Sequence, residues 1–350
     1  MKKFTRILAI VLALATIFSF AACSSKDGGE KKMKVGFIFL HDENSTYDKN
    51  FITAAEEACK ELGVEIVKKT GIGETQACYD AAADLADQGC SIVFADSFGH
   101  ESFMIQAAEK YPDVQFCHAT GTQAHTKGLK NFHNAFASIY EGRYLAGIAA
   151  AMQSKTNKVG FIGGQKSDTI TRFEAGFTAG AKSVKPDIDV QVQYAESFSD
   201  AAKGSTIAST MYASGADVIY QAAGGTGTGV FTAAKEVNEK LSADSDKKVW
   251  VIGVDRDQSA EGNYTSSDNK KSNFVLTSTI KQVGAVVKDI ANDQVKGKKF
   301  EGGKTKTYGI KDGGVDIVTS NLPSDIKDAV VKAKEQIKNG ELKPTDGLSK

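Results

Sequence analysis

The 350-residue sequence is poor in proline, with four, and has no excess of either charge, with 43 Lys+Arg against 43 Asp+Glu. The balanced charge gives no electrostatic reason to expect nucleic acid or an anionic membrane surface as a partner. Scarce proline beside 34 glycines suits an α/β fold, in which tight turns join strands to helices. The length predicts about two domains, and a hydrophobic content of 41% is enough to bury a sizeable core.

The sequence also lacks the short motifs that mark common enzymes and metal sites. It has no Gly-x-Ser-x-Gly nucleophile elbow, and no two of its five histidines have the spacing of a helical metal site. The glycine-rich run 224–229 is not a P-loop, because no Gly-Lys-Ser/Thr follows at the required spacing. No cofactor and no metal is therefore predicted. An enzyme stays an open alternative, because catalytic groups can come together from distant loops.

The N-terminal segment is predicted to be a secretory signal. Residues 1–6 carry three positive charges, and the apolar run 7–20 that follows is too short for a transmembrane helix. The run ends in Phe20-Ala21-Ala22-Cys23, which resembles a lipobox. We therefore predict a lipoprotein signal peptide over 1–22, lipidation of Cys23 and a polar, flexible tether over 23–32. An ordinary signal peptide that happens to contain a cysteine is the alternative.

Four further cysteines, Cys59, Cys78, Cys90 and Cys117, lie in the first third of the remaining chain. Their spacings fit no zinc motif, so burial as small apolar side chains is the favoured state. Export permits disulfides, and one or two bridges stay open.

Strand-like and helix-like segments alternate along the chain in two similar series. The first begins at 34–40 (KVGFIFL) and the second at 158–164 (KVGFIGG). The apolar runs are continuous, as expected for parallel strands that are covered on both faces. The sequence thus predicts an α/β fold of two doubly wound, Rossmann-like lobes. The small-residue helix over 139–154 is predicted to pack where the lobes join.

Several residues that follow predicted strands are candidates for a ligand site. The loop-facing ends of parallel strands form the ligand crevice of doubly wound folds. The glycine-rich run 224–229 would expose backbone N–H groups there, and the aromatic residues Tyr47, Phe98 and Phe198 would stack on a planar ligand. The alternatives are a tight turn without a ligand, and aromatic rings that only pack between the lobes.

Many segments resemble one family in order along nearly the whole chain after the tether. These are 158–164, 172–177, 180–182, 197–204, 215–219, 223–231, WVIGVDRDQ at 250–258 and LTSTIK at 276–281. Together they resemble the basic membrane protein (BMP) family of ABC-transporter lipoproteins, which are known for binding nucleosides. The resemblance implies a type I periplasmic-binding-protein fold, in which three chain crossings join two lobes around the ligand. The crossings would fall near 137–140, 274–276 and 301–305. The first lobe would then comprise 33–138 plus 276–302, and the second 139–275 plus 303–345.

The resemblance also assigns roles to individual residues. Tyr47 stands where the family has a stacking Phe, with Asp48 in place of its Asn and Asn44 in place of its Asp, and Thr120 replaces an Asp after the fourth strand. The resemblance also implies that Phe198 is a second stacking ring and that Asp255 is a carboxylate that binds the ribose. Lys281 would donate to the sugar or orient Asp255. Gly225 and Thr226 would contact the ligand through their backbone groups.

The expected protein is thus a monomeric substrate-binding lipoprotein on the extracytoplasmic face of the membrane. It would capture a nucleoside, with a purine favoured, and deliver it to the permease and ATPase subunits of an ABC importer. A free purine base, another small solute such as a sugar, and a role as a surface sensor stay open. A secreted enzyme such as a nucleoside hydrolase would require a metal-binding aspartate cluster, which the sequence does not show.

Overall fold

The structure is a computed structural model that describes residues 32–119 and 126–348, and in these residues two six-stranded sheets form the centres of two lobes. The predicted signal peptide, Cys23, the tether up to residue 31 and Thr120 lie outside the described residues. Among the helices that are described, none combines the length and apolar character needed to span a membrane.

The first lobe is a parallel sheet with helices on its faces. Its strands lie in the order β13-β5-β4-β3-β1-β2, and every neighbouring pair is parallel. The elements are β1 Lys34–Ile38, α1 Thr46–Leu62, β2 Glu65–Lys69, α2 Gln76–Asp87, β3 Ile92–Ala95, α3 Glu101–Lys110, β4 Gln115–His118, β5 Phe132–Ala137, α8 Val283–Val295 and β13 Lys304–Tyr308.

The second lobe repeats this plan, with strands in the order β14-β12-β9-β8-β6-β7 and with β14 antiparallel to β12. Its elements are α4 Ile139–Gln153, β6 Lys158–Gly163, α5 Asp168–Val184, β7 Asp189–Tyr194, α6 Ala201–Ala213, β8 Val218–Ala222, α7 Thr228–Asn238, β9 Trp250–Gly253, the hairpin β10 Asn263–Thr265 and β11 Lys271–Asn273, β12 Val275–Lys281, β14 Val315–Ile317 and α9 Ser324–Lys338.

Two of the three chain crossings differ from the prediction. β12 pairs with β9 in the second sheet, and β13 pairs with β5 in the first. The chain therefore crosses after Ala137, after Lys281 and after Tyr308, so that strand 275–281 belongs to the second lobe and strand 304–308 to the first. The prediction erred here because a strand's partners are set by packing far along the chain, which its own residues do not encode.

Local chemistry fixes the two ends of α1. The Ser45 hydroxyl accepts a hydrogen bond from the Asp48 amide at the start of α1, and Gly63 ends that helix with φ 67°. A side-chain cap of this kind contributes about 1 kcal/mol, and a left-handed residue at a helix end favours glycine. Ser45 and Gly63 thereby set where α1 begins and where it ends, which matters because α1 carries part of the candidate site.

The small-residue helix α4 packs within the second lobe, and not at the lobe junction as predicted. A Cβ atom added at Gly147 would lie 2.1 Å from the Phe177 carbonyl oxygen, and one added at Gly180 would lie 1.9 Å from the Tyr144 carbonyl oxygen. Only glycine at these positions lets the backbones of α4 and α5 approach so closely. The small residues thus serve helix packing inside the lobe core.

The four cysteines of the described chain, Cys59, Cys78, Cys90 and Cys117, are buried and free of disulfides. They pack in the two hydrophobic clusters on either face of the first sheet. Burial raises the pKa of Cys90 and of Cys59 to about 11, so these thiols are inert at neutral pH.

Candidate functional site

Four of the predicted ligand-binding residues lie where strand ends of the two lobes face each other. Tyr47 and Asp48 lie in the first turn of α1, while Asp255 follows β9 and Lys281 ends β12. The first two belong to the first lobe and the last two to the second. The glycine-rich turn before α7 also approaches α1 from the second lobe.

Lys281 connects the two lobes. Its ammonium lies 5.7 Å from the ring centroid of Tyr47 and 5.1 Å from that of Phe51, while the Asn50 amide donates to its carbonyl oxygen at 3.0 Å. Burial, opposed by the charge of Asp255, lowers the pKa of Lys281 to about 8. Lys281 is therefore cationic at neutral pH and rests on aromatic faces of the first lobe.

Two buried carboxyl groups form a hydrogen-bonded pair behind Tyr47. Asp48 is fully buried and accepts from the His41 amide at 2.8 Å, while Asp96 is 2% exposed and accepts from the Leu40 amide at 3.1 Å. Burial raises the pKa of Asp96 far above its usual range, and the neighbouring Asp48 carboxylate raises it further. Burial alone would also raise the pKa of Asp48, but hydrogen bonds from Ser45, the His41 amide, Asp96 and the His41 ring lower it. Asp96 thus holds the shared proton.

Asp96 was not among the predicted ligand-binding residues. The Tyr47 hydroxyl donates to its backbone carbonyl at 2.8 Å, so the carboxyl pair and the aromatic ring form one unit. An aspartate directly after a strand is usually a helix cap, so its position alone did not single out Asp96 as a ligand-binding residue. What the sequence does show is that Asp96 directly follows the apolar run IVFA of β3.

Asp255 is held by Arg143, which the sequence prediction also missed. Nη2 of Arg143 donates to Oδ1 of Asp255 at 3.1 Å, and Nε donates to the Tyr220 hydroxyl at 3.1 Å. The predicted role of Lys281 in orienting Asp255 takes another form, because the Lys281 amide donates to the Asp255 backbone carbonyl at 3.0 Å. The signal for Arg143 was a single charged residue within the small apolar run of α4.

Phe198 lies at the other side of the second lobe's strand ends and is 39% exposed. A Cβ atom added at Gly164 would lie 2.2 Å from its ring, so this glycine makes room for the ring. Thr226 holds the Phe198 loop, because its amide donates to the Phe198 carbonyl at 3.1 Å and its hydroxyl donates to the Ser197 carbonyl at 2.9 Å. The amide and hydroxyl of Thr226 are therefore engaged within the loop, while Gly225 lies beside it with no side chain to block an approach.

Two other predicted residues, Phe98 and Asn44, are exposed on the surface of the first lobe. Phe98 is 62% exposed in a short 3-10 turn after β3, and Asn44 is exposed and bonded to Asp42. His118 at the end of β4, which was not among the predicted ligand-binding residues, is buried with Nε2 2.7 Å from the Ser97 carbonyl oxygen, and burial lowers its pKa to about 4. Within the described chain, no group of three or more His, Cys, Asp or Glu side chains is placed to hold a metal ion.

Two lobes that meet around strand-end loops are the architecture of solute-binding proteins. A family model described as "ABC transporter substrate-binding protein PnrA-like" matches residues 37–345. The chain belongs to this Bmp family of ABC-transporter substrate-binding proteins, and the resemblance stated from the sequence is confirmed.

Among curated relatives, the "ABC transporter nucleoside-binding protein BmpA" of Lactococcus lactis is 47% identical over 98% of this chain and 99% of its own length. The "CD4+ T-cell-stimulating antigen" of Listeria innocua is 36% identical over 98% of this chain and 99% of its own. Basic membrane protein D of Borreliella burgdorferi is 32% identical over 95% and 94% of the two chains.

Solved structures confirm the predicted fold. A transcriptional activator of the comK gene from Bacillus halodurans superposes with a TM-score of 0.72 at 23% identity, covering 89% of this chain and 100% of its own. An ABC-transporter solute-binding protein from Conexibacter woesei gives 0.71 at 18% identity, covering 91% and 100%. At such identities the likeness concerns the fold alone.

Proposed function

We propose that this substrate-binding protein captures a nucleoside, with a purine favoured, between its two lobes. The observation that carries the proposal is the meeting of Tyr47 with Lys281 across the lobes, beside the Arg143-held carboxylate of Asp255. A base would stack on Tyr47 from the first lobe and on Phe198 from the second, while Asp255 would accept hydrogen bonds from ribose hydroxyls. The 47% identical relative named as nucleoside-binding supports the same ligand class.

We further propose how the protein is used in the cell. Residues 1–22 direct export, Cys23 carries the lipid, and the monomeric protein faces outward from the membrane. Closure of the lobes shields the ligand from water, and the closed form is delivered to the permease and ATPase subunits of an importer. The proposed role involves no chemical change of the ligand.

Ligand screening by thermal shift and calorimetry tests the proposed site. We expect purine ribonucleosides to stabilise the protein, by about 2.7 kcal/mol at about one hundred times Kd, and free bases and pentoses to stabilise it less. Asp255→Ala should weaken nucleoside binding about ten- to hundred-fold, because charge-assisted hydrogen bonds to the sugar are lost. Asp257→Ala is the matched control, since that carboxylate is exposed and accepts from the Ser259 amide in the same loop.

Other outcomes would select among the alternatives. Equal binding of purine bases and nucleosides, unaffected by Asp255→Ala, would assign a base site and reject the ribose contact. Recovery of altered nucleoside by chromatography after incubation would reject the non-enzymatic role.

The anchor needs its own experiment. With Cys23→Ser, we expect loss of labelled fatty-acid incorporation and release of the protein from the membrane fraction. Continued labelling of that variant would reject Cys23 as the lipidated residue.

A further inference from the structure

We propose that Arg143 is a positioning residue of the ligand site, which fixes the carboxylate of Asp255 in the orientation that receives a ligand hydroxyl. The proposal rests on the proposed function, because it assigns how that site is built within the second lobe before the first lobe closes over it.

The guanidinium of Arg143 is fixed on several sides by the second lobe alone. Besides its bonds to Asp255 and to the Tyr220 hydroxyl, it lies 4.0 Å from the ring centroid of Phe173. The Tyr220 hydroxyl is in turn 3.0 Å from the Thr279 hydroxyl oxygen on β12. Helices α4 and α5 and strands β8 and β12 therefore determine where Nη2 points, and Nη2 determines where Asp255 lies.

The burial of the pair is asymmetric. The side chain of Arg143 is 0% exposed and that of Asp255 is 16% exposed. Arg143 engages Oδ1, while Oδ2 of Asp255 makes no hydrogen bond within the described chain. This leaves one carboxylate oxygen open to accept from a ligand.

Stability alone explains Arg143 poorly. Desolvating a guanidinium is costly, and buried ion pairs often add little net stability compared with apolar side chains of similar volume. Nη1 of Arg143 is also buried without a hydrogen-bond partner in the described chain, so the cost of burial is incompletely offset. The presence of a buried charged residue within the small apolar run of α4 therefore points to a role at the site.

The backbone of Asp255 is held in place as well as its side chain. Its φ of 65° lies in the left-handed region, which few residues other than glycine, asparagine and aspartate adopt. Its carbonyl accepts from the Lys281 amide at 3.0 Å. The backbone is thus fixed by β12 and the side chain by Arg143, as expected of a carboxylate that must not reorient.

Calorimetry on the full chain purified in mild detergent tests the proposal, with adenosine and 2′,3′-dideoxyadenosine as probes. Arg143→Met should weaken adenosine binding about ten-fold or more, because the carboxylate is no longer held, and should barely change binding of the dideoxy probe. In an Asp255→Asn background the same substitution should cause no further loss. Arg143→Lys should bind adenosine more tightly than Arg143→Met but less tightly than the wild type, since lysine keeps the positive charge but lacks the planar, multiple N–H donors of a guanidinium.

Two further variants guard the interpretation. Tyr220→Phe removes the hydroxyl that holds Nε of Arg143 but leaves the charge of Arg143 in place. If Arg143→Met does not fold, weaker binding of adenosine, but not of the dideoxy probe, by Tyr220→Phe would support the proposal. Lys248→Met is the matched control, because it removes another cation stacked on a ring of the second lobe, 4.3 Å from the centroid of Trp250. It precedes β9, at the opposite end of the strand from Asp255, and should leave both affinities unchanged.

The outcomes separate this proposal from the proposed function. Adenosine binding by the wild type with no effect of the Arg143 substitutions overturns the positioning role alone. Equal losses for both probes, or a loss that persists in Asp255→Asn, assign Arg143 to structure and also overturn it. Failure of the wild type to bind adenosine or any other ribonucleoside overturns the proposed function, and the positioning role with it.

Discussion

Replacing Asp96 by asparagine is expected to change how stability depends on pH, because Asp96 holds the proton of the Asp48–Asp96 pair. Burial and the Asp48 charge raise the pKa of Asp96 far above the usual range of an aspartate. An asparagine would keep an oxygen to accept from the Leu40 amide, which lies 3.1 Å from Oδ1 of Asp96, and its amide would donate to Asp48 in place of the proton.

The direction in which stability changes with pH follows from proton linkage. Above about pH 4 the unfolded chain releases the Asp96 proton while the folded protein retains it, so wild-type stability falls as pH rises toward the raised pKa. The slope from this one group is at most about 1.4 kcal/mol per pH unit. Asparagine does not titrate, so the unfolding free energy of the variant minus that of the wild type should increase with pH at up to this slope.

Urea unfolding followed by circular dichroism between about pH 5 and pH 8 measures that difference. Burial lowers the pKa of the nearby His100 and of His118, and their contributions cancel in the subtraction as long as the variant leaves them in place. Asp48→Asn should instead be destabilising at neutral pH, because the stability from its lowered pKa is present above the unfolded value and lost in acid. Asp113→Asn, at an exposed residue, is the neutral control. A difference for Asp96→Asn that stays flat or falls as pH rises would refute the assignment of the proton.

Three other predictions use the same preparations. Gly180→Ala should destabilise the protein by at least about 2 kcal/mol in urea, because its Cβ would lie 1.9 Å from the Tyr144 carbonyl oxygen, and an unchanged midpoint would contradict the packing of α4 on α5. Gly164→Val should displace the ring of Phe198 and weaken nucleoside binding about ten-fold in calorimetry, as expected for a lost stacking contact, and wild-type affinity would remove Phe198 from the site. Ellman's reagent should leave the buried thiols, such as that of Cys90, unmodified in the folded protein and react after unfolding, whereas rapid labelling of the native state would contradict their burial.

The sequence predicted those features that depend on neighbouring residues. Continuous apolar runs predicted parallel strands covered on both faces, and both sheets have them. The caps of α1 at Ser45 and Gly63 are features of the same kind, because capping involves residues only a few positions apart. The assignment of β12 to a lobe was harder to predict, because its sequence (VLTSTIK) would suit a strand of either sheet. Only its pairing with β9 places it in the second lobe.

Only part of the candidate site could be predicted from the sequence, for a related reason. Tyr47, Asp255 and Lys281 carry motifs that a family resemblance transfers, and the structure brings them into one neighbourhood. Arg143 and Asp96 act through contacts 112 and 49 positions away, with Asp255 and with the hydroxyl of Tyr47. No local pattern reveals such pairs, and only their burial in the folded protein marks them as unusual.

The charges of the site argue for an uncharged ligand. Arg143 and Lys281 are cationic, Asp255 and Asp48 are anionic, and Asp96 keeps its proton, so the enclosed groups balance. A nucleoside adds no charge, whereas a phosphate monoester adds close to two negative charges at neutral pH that no spare cation among these groups would offset. Adenosine should therefore bind at least about ten-fold more tightly than adenosine monophosphate in calorimetry at low salt, where such charges are least screened. Equal or tighter binding of the monophosphate would show that the site carries excess positive charge. The assigned charges of Asp48 and Asp96, or the inclusion of Asp48 in the site, would then be wrong.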